Sequence, residues 1–287
     1  MTWKAYQVSF RLLSPMHIGW RKLGNLQQTR PYVIGRSIWG ALTARLTREN
    51  GGSDYEGTRI AVDEQLAFTY FYPSTQKEKD ALWPWLGDEW DTFSWTFLGS
   101  YASTALEGGH SAEAGSLHET EFIAPHTRSI LNHDGTYDTK PVFLVGYIFA
   151  KDDCTLLWEN ALSKLQFGGE RGYGWGRVQL VQSLPLSPLS PCEQCFGYQL
   201  DCSGSHPVLI IPEGQPLLAH AVAKNLQCDG TIEPFVGRET KNTGFGNEHS
   251  EAEICWLPGG KVKETQSFEI CPKGIWKLVE DEKKASE

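Results

Sequence analysis

Residues 141–182 read PVFLVGYIFAKDDCTLLWENALSKLQFGGERGYGWGRVQLVQ, and the order of patterns within them decides the fold. PVFLVGYIFA at 141–150 is a near-continuous apolar run of strand length. Asp152 and Asp153 suit a helix N-cap, and Leu156, Leu157, Ala161, Leu162 and Leu165 then recur at helical spacing up to Phe167. Gly168 and Gly169 end that helix, the loop GGERGYGWGR follows, and a strand is predicted near 175–182. The unit is strand, helix, glycine loop, strand.

Moving outward, the same order recurs upstream. Tyr6, Val8, Phe10 and Leu12 alternate with Gln7, Ser9 and Arg11, which predicts a half-buried strand over 5–13, stopped by Ser14-Pro15. A loop containing Gly19 and Gly24 leads to Arg30-Pro31-Tyr32. From Arg36 the period becomes helical, with Ile38, Trp39, Leu42 and Leu46, until Glu49-Asn50-Gly51-Gly52 ends it. QLAFTYFY at 65–72 predicts a second strand, terminated by Pro73. Two strand-helix-strand halves give an α+β chain in the ferredoxin-like (RRM-like) βαββαβ order over residues 1–182. Residues 73–140 interrupt it as an acidic, Trp-rich insertion of poor periodicity, with strand content near 119–131. SLPLSPLSP at 183–191 reads as a linker, 192–278 as a smaller β-rich second domain, and 279–287 as a disordered tail.

Composition narrows the function. No apolar run approaches the ~18 residues of a membrane span, and the N-terminus lacks a signal-peptide core, so a cytoplasmic protein is expected. Seven cysteines, an odd number, argue against a disulfide framework. Cys192 and Cys195 form a CxxC near Cys202 and His206, without a second pair at zinc spacing. His110, His118, His126, His133 and Asp134 are irregularly spaced, so neither metal nor cofactor is expected. The net charge of −9 is unevenly distributed: residues 1–49 carry eight basic side chains against Glu49 alone, whereas 73–140 carry four basic and eleven acidic ones. Such asymmetry predicts a localised polyanion site. Arg45 and Arg48 fit a solvated helix face, while Arg21, Lys22, Arg30 and Arg36 flank glycines and a proline and are assigned to that polyanion site.

In the glycine loop, five of the ten residues at 168–177 are glycine: Gly168, Gly169, Gly172, Gly174 and Gly176. Glycines allow close backbone approach and can offer N–H groups to anions. Arg171 and Arg177 add charge, and Tyr173 and Trp175 add faces for base stacking. A Walker motif is absent, and the order helix, glycines, strand is the reverse of a dinucleotide-binding turn.

SPMHIGW (14–20), RPYVIGRSIWGAL (30–42) and GGERGYGWGRV (168–178), in that order, resemble the RAMP superfamily of CRISPR-associated proteins. Arg36 replaces a small residue of the family pattern, and Trp39 lies inside the helix start. The resemblance implies one of three roles. Backbone subunits of type III complexes cut target RNA with an aspartate before the P-Y motif, but no Asp or Glu lies between Ser14 and Gly35. Guide-processing endoribonucleases use acid–base groups, for which His17 is the one histidine in the first hundred residues; their glycine loop lies near the C-terminus, whereas over a hundred residues follow it here. The third role, chosen here, is the cap subunit that holds the 5′ tag of the guide RNA and contacts the large and backbone subunits without catalysis. His17 then orders its loop or touches RNA. A protein–protein adaptor with a docking acidic insertion is the reading outside the family.

Overall fold

An apolar run without alternation suits a strand covered on both faces. The computed structural model, which describes residues 2–76, 82–85, 90–108, 110–128, 130–131, 137–185 and 194–279, shows how each face is covered. The central sheet holds β1 (Trp3–Leu12), β4 (Leu66–Phe68), β8 (Phe143–Lys151) and β9 (Val178–Pro185) in the order β9-β1-β8-β4. Every pairing is antiparallel, and Val8 lies opposite Gly146 in β8. Fourth, first, third, second is the ferredoxin-like strand order. Three helices cover one face: α1 (Gly35–Glu49), α2 (Tyr55–Gln65) and α4 (Trp158–Leu162). Val8, Phe10, Leu12, Leu144 and Ile148 pack there against Ile38, Leu42, Val62 and Leu162.

The opposite face carries Trp3, Ala5, Tyr70, Tyr147 and Phe149, and it is equally buried. Its cover is an eight-stranded sheet of C-terminal strands: β10 (Gln194–Cys195), β11 (Tyr198–Asp201), β12 (Val208–Ile211), β13 (Ala221–Val222), β14 (Ile232–Phe235), β17 (Glu253–Trp256), β18 (Gln266–Ile270) and β19 (Trp276–Leu278). Leu209, Ile211, Leu217, Phe268 and Trp276 complete this second core, and the Tyr72 hydroxyl donates to Leu218 O at 2.6 Å. Beside the sheet, the hairpin β15 (Arg238–Lys241) and β16 (Gly244–His249) stands on α2.

Several elements differ from the sequence expectation. The segment after β1 forms a hairpin, β2 (Gly19–Leu23) and β3 (Leu26–Thr29), rather than a loop. It joins β6 (Leu98–Ser103) and β7 (His118–Ile123) in a sheet ordered β2-β3-β7-β6, so the insertion is anchored by strand pairing. The stretch 65–72 is not one strand: β4 ends at Phe68 and β5 (Tyr72–Ser74) resumes on β8, with Pro73 inside it opposite Leu144. Between them Phe71 exchanges backbone hydrogen bonds with Val33, and its ring lies over Gly146, where any Cβ would sit 2.5 Å from it. Helix α2 was not expected, because only Thr58 and Val62 of its residues are buried. Helix α4 is shorter than 156–167, since the Phe167 N–H is taken by Gly176 O across the glycine loop. Residues 186–193 and 280–287, including Cys192 and most of the predicted linker and tail, lie outside the described residues. No helix among the described residues is long and apolar enough to cross a membrane.

Candidate nucleic-acid interface

Ser37, Gly40, Ala41 and Ala44 recur at helical spacing on α1 and give it one low, small-residue side. That side floors a cleft of about 650 Å3. Its walls are His17–Gly19, the glycine loop, and residues 236–242 around the start of β15. Five cations line it: Arg36, Arg48, Arg171, Arg238 and Lys241; no carboxylate is among the described lining residues. In a chain with 35 acidic and 26 basic side chains, that concentration of one sign runs against the overall balance. Arg36 pairs with Glu239 at 2.7 Å and Lys241 with Glu248 at 2.7 Å. Arg48, Arg171 and Arg238 have no ion pair among the described residues.

His17 lies in the cleft wall, nearly buried. Its Nδ1 is 2.7 Å from the Glu121 carbonyl oxygen, which can only accept, so Nδ1 donates there. The glycine loop is built around this segment. Gly169 N–H donates to His17 O and Gly176 N–H to Pro15 O, each at 2.7 Å, and Arg177 N–H donates to Ser14 Oγ at 2.9 Å. Tyr173, Gly174 and Trp175 N–H groups donate to Glu170 and Arg171 carbonyls. The expectation that the loop offers its backbone donors to an anion is corrected for these six: they close the loop on itself and on the strand end. The glycines therefore serve packing. A Cβ at Gly176 (φ +76°) would sit 2.0 Å from Phe167 O, and one at Gly168 (φ +94°) 2.7 Å from His17 O. Only Gly172 combines an ordinary φ with open space.

The other assigned residues divide. Arg171 lines the cleft, Tyr173 is 84% exposed, and Arg177, Arg21 and Lys22 are exposed outside the lining. Arg21 rests over the Trp20 ring at 4.0 Å. Trp175 packs edge-to-face with Phe122 at 5.2 Å, so part of its ring is engaged within the chain. Arg30 is the clear correction. It is 8% exposed, and its guanidinium donates to Glu233 Oε1 at 2.6 Å. His220 Nε2 reaches the same oxygen at 2.8 Å, the Tyr70 hydroxyl donates to His220 Nδ1 at 2.6 Å, and Trp20 Nε1 donates to Glu233 Oε2 at 3.0 Å. Burial alone would raise the Glu233 carboxyl, but hydrogen bonds from His220, Trp20 and Arg30, with the Arg30 charge, hold it at about 2. Burial lowers the His220 imidazole to about 4. Arg30 therefore fastens β3 to the C-terminal sheet.

Sequence reading missed Arg48, placed on a solvated helix face, and Arg238 and Lys241 altogether. The available signal was the weak echo of glycine-basic spacing in Gly237-Arg238 and Gly244-Phe245-Gly246. Backbone at Gly237 approaches Arg36 so closely that a Cβ would lie 2.2 Å from its Nε. Among the described residues no three His, Cys, Asp or Glu side chains gather to hold a metal; Cys192, His133 and Asp134 lie outside them.

Comparison with known proteins finds similar solved structures and one matching family. One chain of a Type III-B Cmr-beta complex, determined by cryo-EM with cognate target RNA and AMPPnP, matches with a TM-score of 0.46 and 14% identity, covering 90% of this chain and 86% of that one. A chain of a second Type III-B Cmr-beta structure with cognate target RNA gives a TM-score of 0.43 and 13% identity over 65% of this chain and 61% of that one. No curated protein matches the sequence. A family model does match residues 9–179, the span running from β1 through the glycine loop into β9, and the chain belongs to the RAMP superfamily.

Proposed function

We propose that this chain is a non-catalytic RNA-binding subunit of a CRISPR ribonucleoprotein, of type III, capping the 5′ tag of the guide RNA beside the large and backbone subunits. The observation that carries it is the cleft with five cations and no described carboxylate in an otherwise acidic chain. Phosphates of a single strand fit its small-residue floor, held by Arg48, Arg171 and Arg238, with the exposed Tyr173 two residues from Arg171 for stacking. Arg21, Lys22 and Arg177 extend the basic surface beyond the cleft. Residues 1–182 and 192–278 are taken as two units that fold against each other, with the proline-serine stretch between them.

A nuclease reading is favoured by one observation: His17 borders the cleft, with its Nδ1 held by the Glu121 carbonyl. It lacks an acid partner, since the titratable side chains lining the same cleft are arginines, Lys241 and Tyr55, whose hydroxyl burial raises further. The test is incubation of the purified chain with CRISPR repeat RNA in EDTA. Salt-dependent binding without cleavage, in wild type and His17→Ala alike, is the expected result. One defined cut that His17→Ala abolishes would establish the nuclease instead, and absent or salt-insensitive binding would favour the adaptor.

A further inference from the structure

The hairpin β2–β3 and the insertion enclose a second cleft, of about 530 Å3. Three indoles line it: Trp20, and Trp90 and Trp95 of α3 (Trp90–Phe97). That helix turns Phe93 and Phe97 into the core and leaves Trp90 45% and Trp95 58% exposed. Trp90 stacks one face on Phe93 at 6.2 Å, and indoles left at that exposure in a concave site are apolar surface open to a partner. They already take planar groups from the chain itself: Arg128 lies 4.2 Å from the Trp95 ring centre, as Arg21 does over Trp20 at 4.0 Å. The lining charges are Asp91 and Glu121 against Arg128, a balance that repels phosphate but admits an uncharged ring.

The two clefts share a wall. Gly19 lines the first and Trp20 the second, and the His17–Glu121 hydrogen bond joins a residue of one to a residue of the other. A strand whose phosphates follow the cations arrives at Trp20 when it passes Gly19. We infer that the tryptophan cleft receives one unpaired base of the RNA whose phosphates occupy the cation-lined cleft, an inference that rests on the RNA-binding reading. The base stacks on indole while its backbone stays outside with Arg21, and the Asp91 carboxylate accepts from the N–H groups of its edge.

The test is titration of the full chain with single-stranded decaadenylate, comparing wild type with Trp90→Ala, Trp95→Ala and Trp95→Phe. Inorganic polyphosphate serves as a backbone-only probe. The alanine variants should lose about 5- to 100-fold in affinity for decaadenylate, with polyphosphate affinity and the salt dependence unchanged. Trp95→Phe, which keeps an aromatic face and guards against misfolding, should retain most of the affinity. Wild-type binding by both alanine variants overturns the inference and leaves the RNA reading standing. So does retained RNA binding with lost co-purification of neighbouring subunits, which would make the cleft a protein dock. A parallel loss of polyphosphate affinity overturns it too. Failure of the wild type to bind decaadenylate at all overturns the RNA reading and this inference together.

Discussion

Glu233 accepts from Arg30, His220 and Trp20 at once, so its removal leaves a guanidinium buried without a counter-charge. Glu233→Ala should cost about 3–5 kcal/mol of stability, read from urea denaturation. The same cluster sets a pH dependence. His220 is held neutral at about 4 against an ordinary 6.5, so its contribution is complete above pH 6.5 and falls as pH drops toward 4. Glu233, held at about 2 against an ordinary 4.5, contributes above pH 4.5 and is lost as pH falls toward 2. Stability should therefore decline on acidification from pH 6.5, and the decline between 6.5 and 4 should be shallower in His220→Gln. Two glycines of one loop should behave oppositely: Gly176→Ala meets Phe167 O at positive φ and should destabilise by about 1–3 kcal/mol or more, while Gly172→Ala, in open space, should be neutral by thermal melting.

At the scale of elements, the cleft is where α1, the glycine loop and the 236–242 segment meet, and its electrostatics are testable as a unit. Arg171→Ala combined with Arg238→Ala should flatten the slope of log K against log salt by about 1.4, at ~0.7 per phosphate for single strands. The strands of the central sheet were legible because 5–13 and 141–150 are apolar enough to declare themselves, whereas the glycine pair at 168–169 overstated the helix, which ends at Leu162. The hairpin β2–β3 was not legible, because GWRKLGNLQQT is polar and becomes strand by pairing with β7, far along the chain. Nor could the fate of individual arginines be read. Arg30 and Arg36 look as free as Arg171 in sequence, yet their partners Glu233 and Glu239 stand 203 residues away. Local pattern reports helix and strand; it does not report which charge is neutralised by folding.

For the whole molecule, the tyrosine-rich face of the central sheet depends on the C-terminal strands for its cover. A chain ending at Pro185 would expose Tyr70, Tyr72, Tyr147 and Phe149 together. It should lose its near-ultraviolet circular dichroism and bind a hydrophobic dye, whereas the full chain does neither. The cover also explains why the candidate RNA path runs along α1 and the sheet edge, since the open face of the sheet is closed to any ligand. Trp20 then occupies a singular position. Its ring borders the tryptophan cleft while its N–H is pinned to Glu233 of the covering sheet. The chain thus carries a built-in gauge: the proton resonance of that one indole registers, in unmodified protein, both a visitor on its face and any loosening of the C-terminal sheet behind it.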